Sequence, residues 1–338
     1  MRGTGRRSLP IAVVLLLGLV LGACSSEEEH TLTVYSGRTS SLVQPLLDQF
    51  ATDTGVAFKV RYGSTAGTVA LLLEEGDASP ADVVLLQDAG ALGALAKEGV
   101  FAKLPDDLLG MVDRKFRSSD GEWVGVSGRA RTVVYNTEAI DPDRDLPKSI
   151  LDFVRPEWKG RLGWAPTNGS FQAFVTALRL VEGDAGAKAW LEGIKANKPV
   201  DYPNNTSIVD GVGRGEVDAG FVNHYYLHRF LTEQGQDFGA RNHYSSGDAG
   251  ALINVSGVGI MINSESTELA QQLVDYLLSE PAQRYFAEQT TEYPLIDGVA
   301  TAEGIPPLAS LDPPDIDLSN LDDLRGTIDL MHQAGVLP

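Results

Sequence analysis

The stretch TLTVYSGRTSSLVQPLLDQFATDTGVAFKVRY, residues 31–62, decides the fold class. Residues 31–37 alternate apolar and polar side chains, the period of a half-buried strand. Residues 40–55 then place Leu42, Leu46, Leu47 and Phe50 on one helical face, and Gly55 supplies a stop. Pro45 lies in the early turns of that helix and argues for a start later than residue 40. Residues 56–62 return to strand. The alternation continues with a helix at 67–75, the apolar strand ADVVLL at 81–86, and a helix at 89–98 that ends at Gly99. This βαβαβα rhythm predicts an α/β fold with a parallel, doubly wound sheet and helices on both faces.

Further along, the rhythm breaks and resumes. Strands are expected at 122–136, 160–165, 216–222 and 251–262, and helices at 170–180, 185–196, 267–278 and near 324–334. Residues 309–323 are rich in Pro and Asp and read as a surface wrap. The expected organisation is a discontinuous first lobe (31–128 plus 258–300), a second lobe (129–257), and a C-terminal wrap and helix (301–338).

The segment before this body reads MRGTGRRSLPIAVVLLLGLVLGAC. Arg2, Arg6 and Arg7 precede an apolar run at 11–20, the pattern of a secretory signal (1–23) to be set aside from fold reasoning. LGAC resembles a bacterial lipobox, so Cys24 is the expected lipidation site and 24–30 a polar tether. Cys24 is the single cysteine of the chain, which excludes an internal disulfide. A net charge of −19 argues against nucleic acid or anionic lipid as partner. No GxSxG, P-loop or HExxH pattern is present, and no enzymatic activity is expected.

Chemistry concentrates in FVNHYYLHRF, residues 221–230, at the carboxyl end of an expected strand. Three readings stand side by side. Tyr225 and Tyr226 start a helix with one ring inward and one outward. Alternatively, His224 and His228, spaced i, i+4, hold zinc in an exported hydrolase. Or the two phenols, as phenolates, hold a hard cation, for which iron(III) is the best fit. PTNGSF, residues 166–171, adds a helix N-terminus with Asn168, Gly169 and Ser170, the geometry of an anion site. Asn205 precedes another expected helix and Asn223 precedes the tyrosines, so neutral donors for a small oxyanion gather in the second lobe.

These residues carry a resemblance. LTVYSGR (32–38), SPADVVLLQDAGAL (79–92), VSGRARTVVYNT (126–137), PEWKGRLGWAPTNGSF (156–171), GEVDAGFVNHYYLHRF (215–230), GDAGALINVSG (247–257) and EYPL (292–295) resemble the bacterial ferric-ion-binding proteins of ABC importers over nearly all of the chain after the signal. The resemblance implies a two-lobed periplasmic-binding-protein (Venus-flytrap) fold with hinge strands between the lobes. It implies Fe(III) as transported ligand on Tyr225 and Tyr226, with synergistic phosphate or carbonate on Asn168, Gly169, Ser170, Asn205 and Asn223. It also implies a membrane permease and ATPase as partners, a monomer, and export to the periplasm or the outer face of the cytoplasmic membrane. The pattern departs from many relatives in the first lobe, where Thr39 and Gln87 stand at positions that often carry histidine and glutamate. Phe171 stands where others carry a third tyrosine. Gln87, Asp88, Thr39 and Arg38 are candidate first-lobe contacts, and Arg129 and Arg131 match a basic pair near the hinge, either as salt bridges or as anion contacts. A receptor for a small anion on the same fold is the alternative within the binding class.

Overall fold

The computed structural model describes residues 31–337, so the expected signal, the tether and Cys24 lie outside the described residues. The first lobe begins with β1 (Thr31–Ser36), α1 (Ser40–Thr54), β2 (Ala57–Tyr62), α2 (Thr65–Glu75), β3 (Val83–Leu86) and α3 (Ala89–Lys97). α1 buries Val43, Leu46, Leu47 and Phe50, and Gly55 closes it at φ 77°, its N–H donating to the Ala51 carbonyl. The helix starts at Ser40 although Pro45 lies inside it; that proline sits on the exposed face, where its ring meets solvent. After the short α4 (Asp106–Gly110) comes β4 (Val124–Asn136), buried at all of its 13 residues.

β4 is the structural axis. Its first half, Val124–Ala130, pairs antiparallel with β9 (Ile253–Ile260); its second half pairs with β7 (Ala219–Asn223) and β8 (Ala240–His243). One strand thus belongs to the sheets of both lobes. The second lobe adds β5 (Leu162–Trp164), α5 (Gly169–Ala196), β6 (Val200–Asp201), α6 (Asn205–Gly213) and α7 (Tyr225–Gln234). The two helices expected at 170–180 and 185–196 form one run interrupted at Gly183, whose φ of 72° and ψ of 166° break the helical path. α8 (Thr267–Leu277) and α9 (Glu280–Gln289) return to the first lobe, and α10 (Leu324–Gln333) ends the chain.

The sheet order is β2-β1-β3-β9-β4-β7-β5-β6, with β8 beside β4. The parallel pairing expected from the βαβαβα run is present, and one antiparallel strand is added to it. β1, β2 and β3 are parallel to one another, as are β5, β6 and β7. β9 enters antiparallel between β3 and β4, because the chain comes back from the second lobe instead of crossing over through a helix.

The wrap expected at 309–323 ties both lobes together. Its turn Leu318–Asp322 lies on α3, where a Cβ at Gly90 or Gly93 would run into the carbonyls of Leu321 and Ser319. Asp322 pairs with Lys97 at 2.7 Å, and the next residue, Asp323, pairs with Arg179 of α5 at 3.0 Å.

Candidate functional site

β7 delivers Asn223 to the rim of a cleft of about 640 Å³. The chain turns there into α7, so Tyr225 and Tyr226 stand at its first turn and line the cleft. Their ring centroids lie 4.3 Å apart with planes 30° from parallel, so both phenols share one side of the cleft. The expectation of one ring inward and one outward is not met. Burial and the neighbouring Tyr226 raise the Tyr225 phenol above its ordinary range.

His224 has a different task. Its Nδ1 accepts from the Ala130 N–H at 3.1 Å, and its Nε2 faces the Thr291 carbonyl at 2.8 Å. Both ring nitrogens are engaged, which removes the zinc pair with His228. Among the described residues no group of three or more His, Cys, Asp or Glu is arranged for a metal. The fully buried imidazole ties the start of α7 to β4 and to the segment before Tyr293. Burial pulls its pKa down to about 4. Between that value and about 6.5 the unfolded chain binds a proton that the folded chain does not, so stability falls as pH falls through this window. The ligand-free protein should lose on the order of 3 kcal/mol from pH 7 to pH 4 through this group, and a His224→Gln variant should show a flatter profile in urea melts.

The anion candidates come together at α5. Asn168 caps this helix: its Oδ1 accepts from Ser170 N–H at 3.0 Å and from the Ser170 hydroxyl at 2.7 Å. Asn205, at the start of α6, donates through Nδ2 to Asn168 Oδ1 at 3.1 Å and to Ser170 Oγ at 3.0 Å. Asn168, Gly169, Ser170 and Asn223 line the cleft; Asn205 stands behind them, 2% exposed. A Cβ at Gly169 would meet no atom, so this position opens to the cleft.

Arg131 is 3% exposed, yet both terminal guanidinium nitrogens lack a hydrogen-bond partner among the described residues. It lies 5.5 Å and 5.1 Å over the rings of Phe171 and Phe174 and lines the cleft. Desolvation lowers its pKa to about 9, against the opposing effect of Tyr226. A buried cation with free donors at a cleft calls for an anion. Arg129 also lines the cleft, but its guanidinium donates to the Gln87 carbonyl. The sequence left both arginines open between salt bridge and anion contact; among the described residues neither forms a salt bridge, and the burial of Arg131 has no local signal.

The first-lobe candidates divide. Gln87 and Asp88 line the cleft. Asp88 is committed at both oxygens, accepting from Ala91 N–H at 3.2 Å as the cap of α3 and from Asn254 Nδ2 at 2.5 Å. Thr39 is exposed as the N-cap of α1 and is not among the residues that line the cleft. Arg38, proposed as able to reach the cleft, is instead buried in a bidentate pair with Glu292 at 2.9 Å. Sequence reasoning missed the apolar part of the first-lobe wall that α2 supplies, Ala66, Val69, Ala70 and Leu73. The run TVALLLEE carried the signal, being apolar on more than one helical face.

Residues 78–320 match the model of a family described as bacterial extracellular solute-binding protein. The chain is 31% identical over 322 residues to the Fe(3+)-binding periplasmic protein of Serratia marcescens, covering 94% of each chain. It is 34% identical over 310 residues to the major ferric iron-binding protein of Neisseria meningitidis, covering 90% of this chain and 93% of the relative. Among solved structures, iron-bound HitA from Pseudomonas aeruginosa is similar at 35% identity and a TM-score of 0.81, covering 90% of this chain and 99% of that one. Trichodesmium IdiA (FutA), in complex with iron and citrate ligands, is similar at 27% identity and a TM-score of 0.82, covering 90% and 99%.

Proposed function

This chain belongs to the bacterial extracellular solute-binding proteins, which bind and release a solute and are not enzymes, and on that premise we propose that it captures ferric iron in the inter-lobe cleft together with an oxyanion. The observation that carries the reading is the tyrosine pair: two phenols 4.3 Å apart, facing one cleft, beside a buried arginine with free donors. Hard trivalent cations prefer oxygen donors, and a bound cation stabilises the phenolates it requires. Asn168, Gly169, Ser170 and Asn223 offer neutral donors at a helix N-terminus, and Asn205 holds Asn168 and Ser170 in place. Phosphate or carbonate there completes the coordination sphere, and Arg131 balances its charge. Cys24 anchors the receptor to the membrane by lipid, and a permease and ATPase receive the iron. The receptor works as a monomer.

Metal analysis and a visible spectrum of the purified protein test the reading. Iron on tyrosinate gives a charge-transfer band; a colourless protein with no iron uptake discards it. Titration in anion-free buffer should give weaker iron binding than titration with phosphate or carbonate present, and equal affinities would remove the oxyanion from the site.

The first lobe contributes no strong ligand in this reading. Gln87→Ala and Thr39→Ala should each change iron affinity by less than about threefold, the range of substitutions away from key contacts. Asp88→Asn keeps an α3 cap and should also change little; a loss as large as that of Tyr225→Phe would make Asp88 a ligand.

A further inference from the structure

Among the described residues, two other than glycine hold a left-handed backbone: Lys198, at φ 51°, and Thr291, at φ 53°. Lys198 is exposed, one residue past the Asn197 that ends α5. Thr291 is half-buried and stands just past the Thr290 that ends α9, the place where a helix usually takes glycine. A β-branched side chain makes that conformation costly, and such strain persists only where the surroundings hold it. Three consecutive residues are held here. The Thr291 carbonyl lies 2.8 Å from His224 Nε2. Glu292 forms its bidentate pair with Arg38. Tyr293 and Gly128 of β4 exchange two backbone hydrogen bonds, both of 2.8 Å. The first of these ties reaches the tyrosine helix. His224 in turn exchanges two bonds with Ala130 of β4: its backbone N–H donates to the Ala130 carbonyl at 3.0 Å, and its Nδ1 accepts from the Ala130 N–H at 3.1 Å. An accepting Nδ1 places the proton of the neutral ring on Nε2, which donates to Thr291. The imidazole packs on Tyr293 at 4.7 Å and stands edge-on to Tyr225 at 5.7 Å, with planes 88° apart.

We propose that Thr291 is a positioning residue for metal binding: its left-handed turn aims a carbonyl at His224, and His224, so held, fixes the Tyr225 phenol on the cleft wall. The inference rests on the iron reading above and adds to it a residue that does not itself line the cleft. The Thr291 hydroxyl donates to the neighbouring Thr290 carbonyl at 2.7 Å, so the link to His224 runs through the backbone. A ligand atom has to be held within about half an ångström of its productive place, and the groups that orient a ligand are worth about 10- to 100-fold in metal affinity. Glycine at 291 would take the same turn without steric cost. It would also let the peptide rotate, and His224 Nε2 would lose its fixed acceptor. A turn that merely ends α9 is served better by glycine than by threonine. A turn that aims a carbonyl is served better by the residue with less freedom, and the cost of the strained backbone is then the cost of a rigid site.

Thr291→Gly separates the two roles, with urea melts of the ligand-free protein and titration of ferric iron in phosphate buffer as the measurements. The urea midpoint should hold or rise, because the strain is relieved. Iron affinity should nevertheless fall about tenfold, and the charge-transfer band should shift with the displaced phenolate. Thr291→Asn, whose side chain tolerates the left-handed region, should keep iron affinity within about threefold. His224→Phe keeps a ring but loses both ring hydrogen bonds; in that background Thr291→Gly should lower affinity no further. Unchanged affinity and band in Thr291→Gly overturn the proposal and leave the iron reading standing. A lower urea midpoint in Thr291→Gly overturns it as well, because the turn then holds no strain. So do equal losses from Thr291→Gly with and without the imidazole, since the effect then bypasses His224. Thr291→Gly decides by itself should His224→Phe not fold. A wild-type protein without a tyrosinate band removes the iron reading and this inference with it.

Discussion

Tyr225→Phe and Tyr226→Phe are each expected to abolish the charge-transfer band and to weaken ferric iron binding by more than about 100-fold. Losing a residue that merely supports a ligand already costs about 10- to 100-fold in metal affinity, and these substitutions remove the ligand atom itself. Folding should persist, since both rings line the cleft and the substitutions remove only the hydroxyl, leaving the packing of the Tyr226 ring against its neighbours in place. The effect has a pH signature. Each phenol must give up its proton to bind metal, and burial together with Tyr226 holds the Tyr225 phenol in its neutral form. Iron affinity should therefore rise with pH, and uptake should release protons measurable in unbuffered solution. Variants that retain both colour and affinity would place the iron elsewhere.

Glu292→Ala is expected to destabilise the ligand-free protein by about 3–5 kcal/mol, the range for stranding a buried charge. Arg38 is 2% exposed and Glu292 5% exposed, and the pair lies deep beside β4. The Glu292 carboxylate also accepts from the Ser127 hydroxyl at 2.7 Å. Arg38→Met combined with Glu292→Leu should be milder than either single removal, because no unpaired charge remains. Burial pushes the Glu292 carboxyl up, but Arg38, Arg129 and Ser127 outweigh it, and the net shift is downward. A depressed carboxylate contributes stability above its unfolded range and loses it as pH falls through the folded value, so acid should destabilise the wild type more than the double variant. Denaturant melts measure each term; a loss below about 1 kcal/mol for Glu292→Ala would show that solvent reaches Arg38.

Both predictions lie where sequence and structure part. Local periodicity is enough to draw β1–α1–β2–α2–β3–α3, because a strand repeats every second residue and a helix about every 3.6. It also singles out the candidate site, because adjacent tyrosines at a strand's carboxyl end are rare in a chain with 7% aromatic residues. The helix starts that bring Asn168 and Asn205 together were legible as Asn-led caps, a purely local chemistry. Whether those caps would meet depends on α5 and α6 converging, which no window of sequence contains.

The tertiary structure alone decided the rest. Arg38 and Glu292 are 254 residues apart, and only their meeting moves Arg38 from candidate cleft contact to buried ion pair. β9 returns antiparallel between β3 and β4, joining the parallel strands β1–β3 to β4 without altering any strand's own pattern. His224 sits beside the tyrosines in sequence, yet its ring is spent on Ala130 and Thr291, so it supports the site instead of binding in it. Arg131 keeps both terminal nitrogens unpartnered among the described residues because it packs over Phe171 and Phe174, which offer no acceptor. Sequence determines which side chains an element offers to each face; burial and pairing across the chain determine which of them remain free to bind.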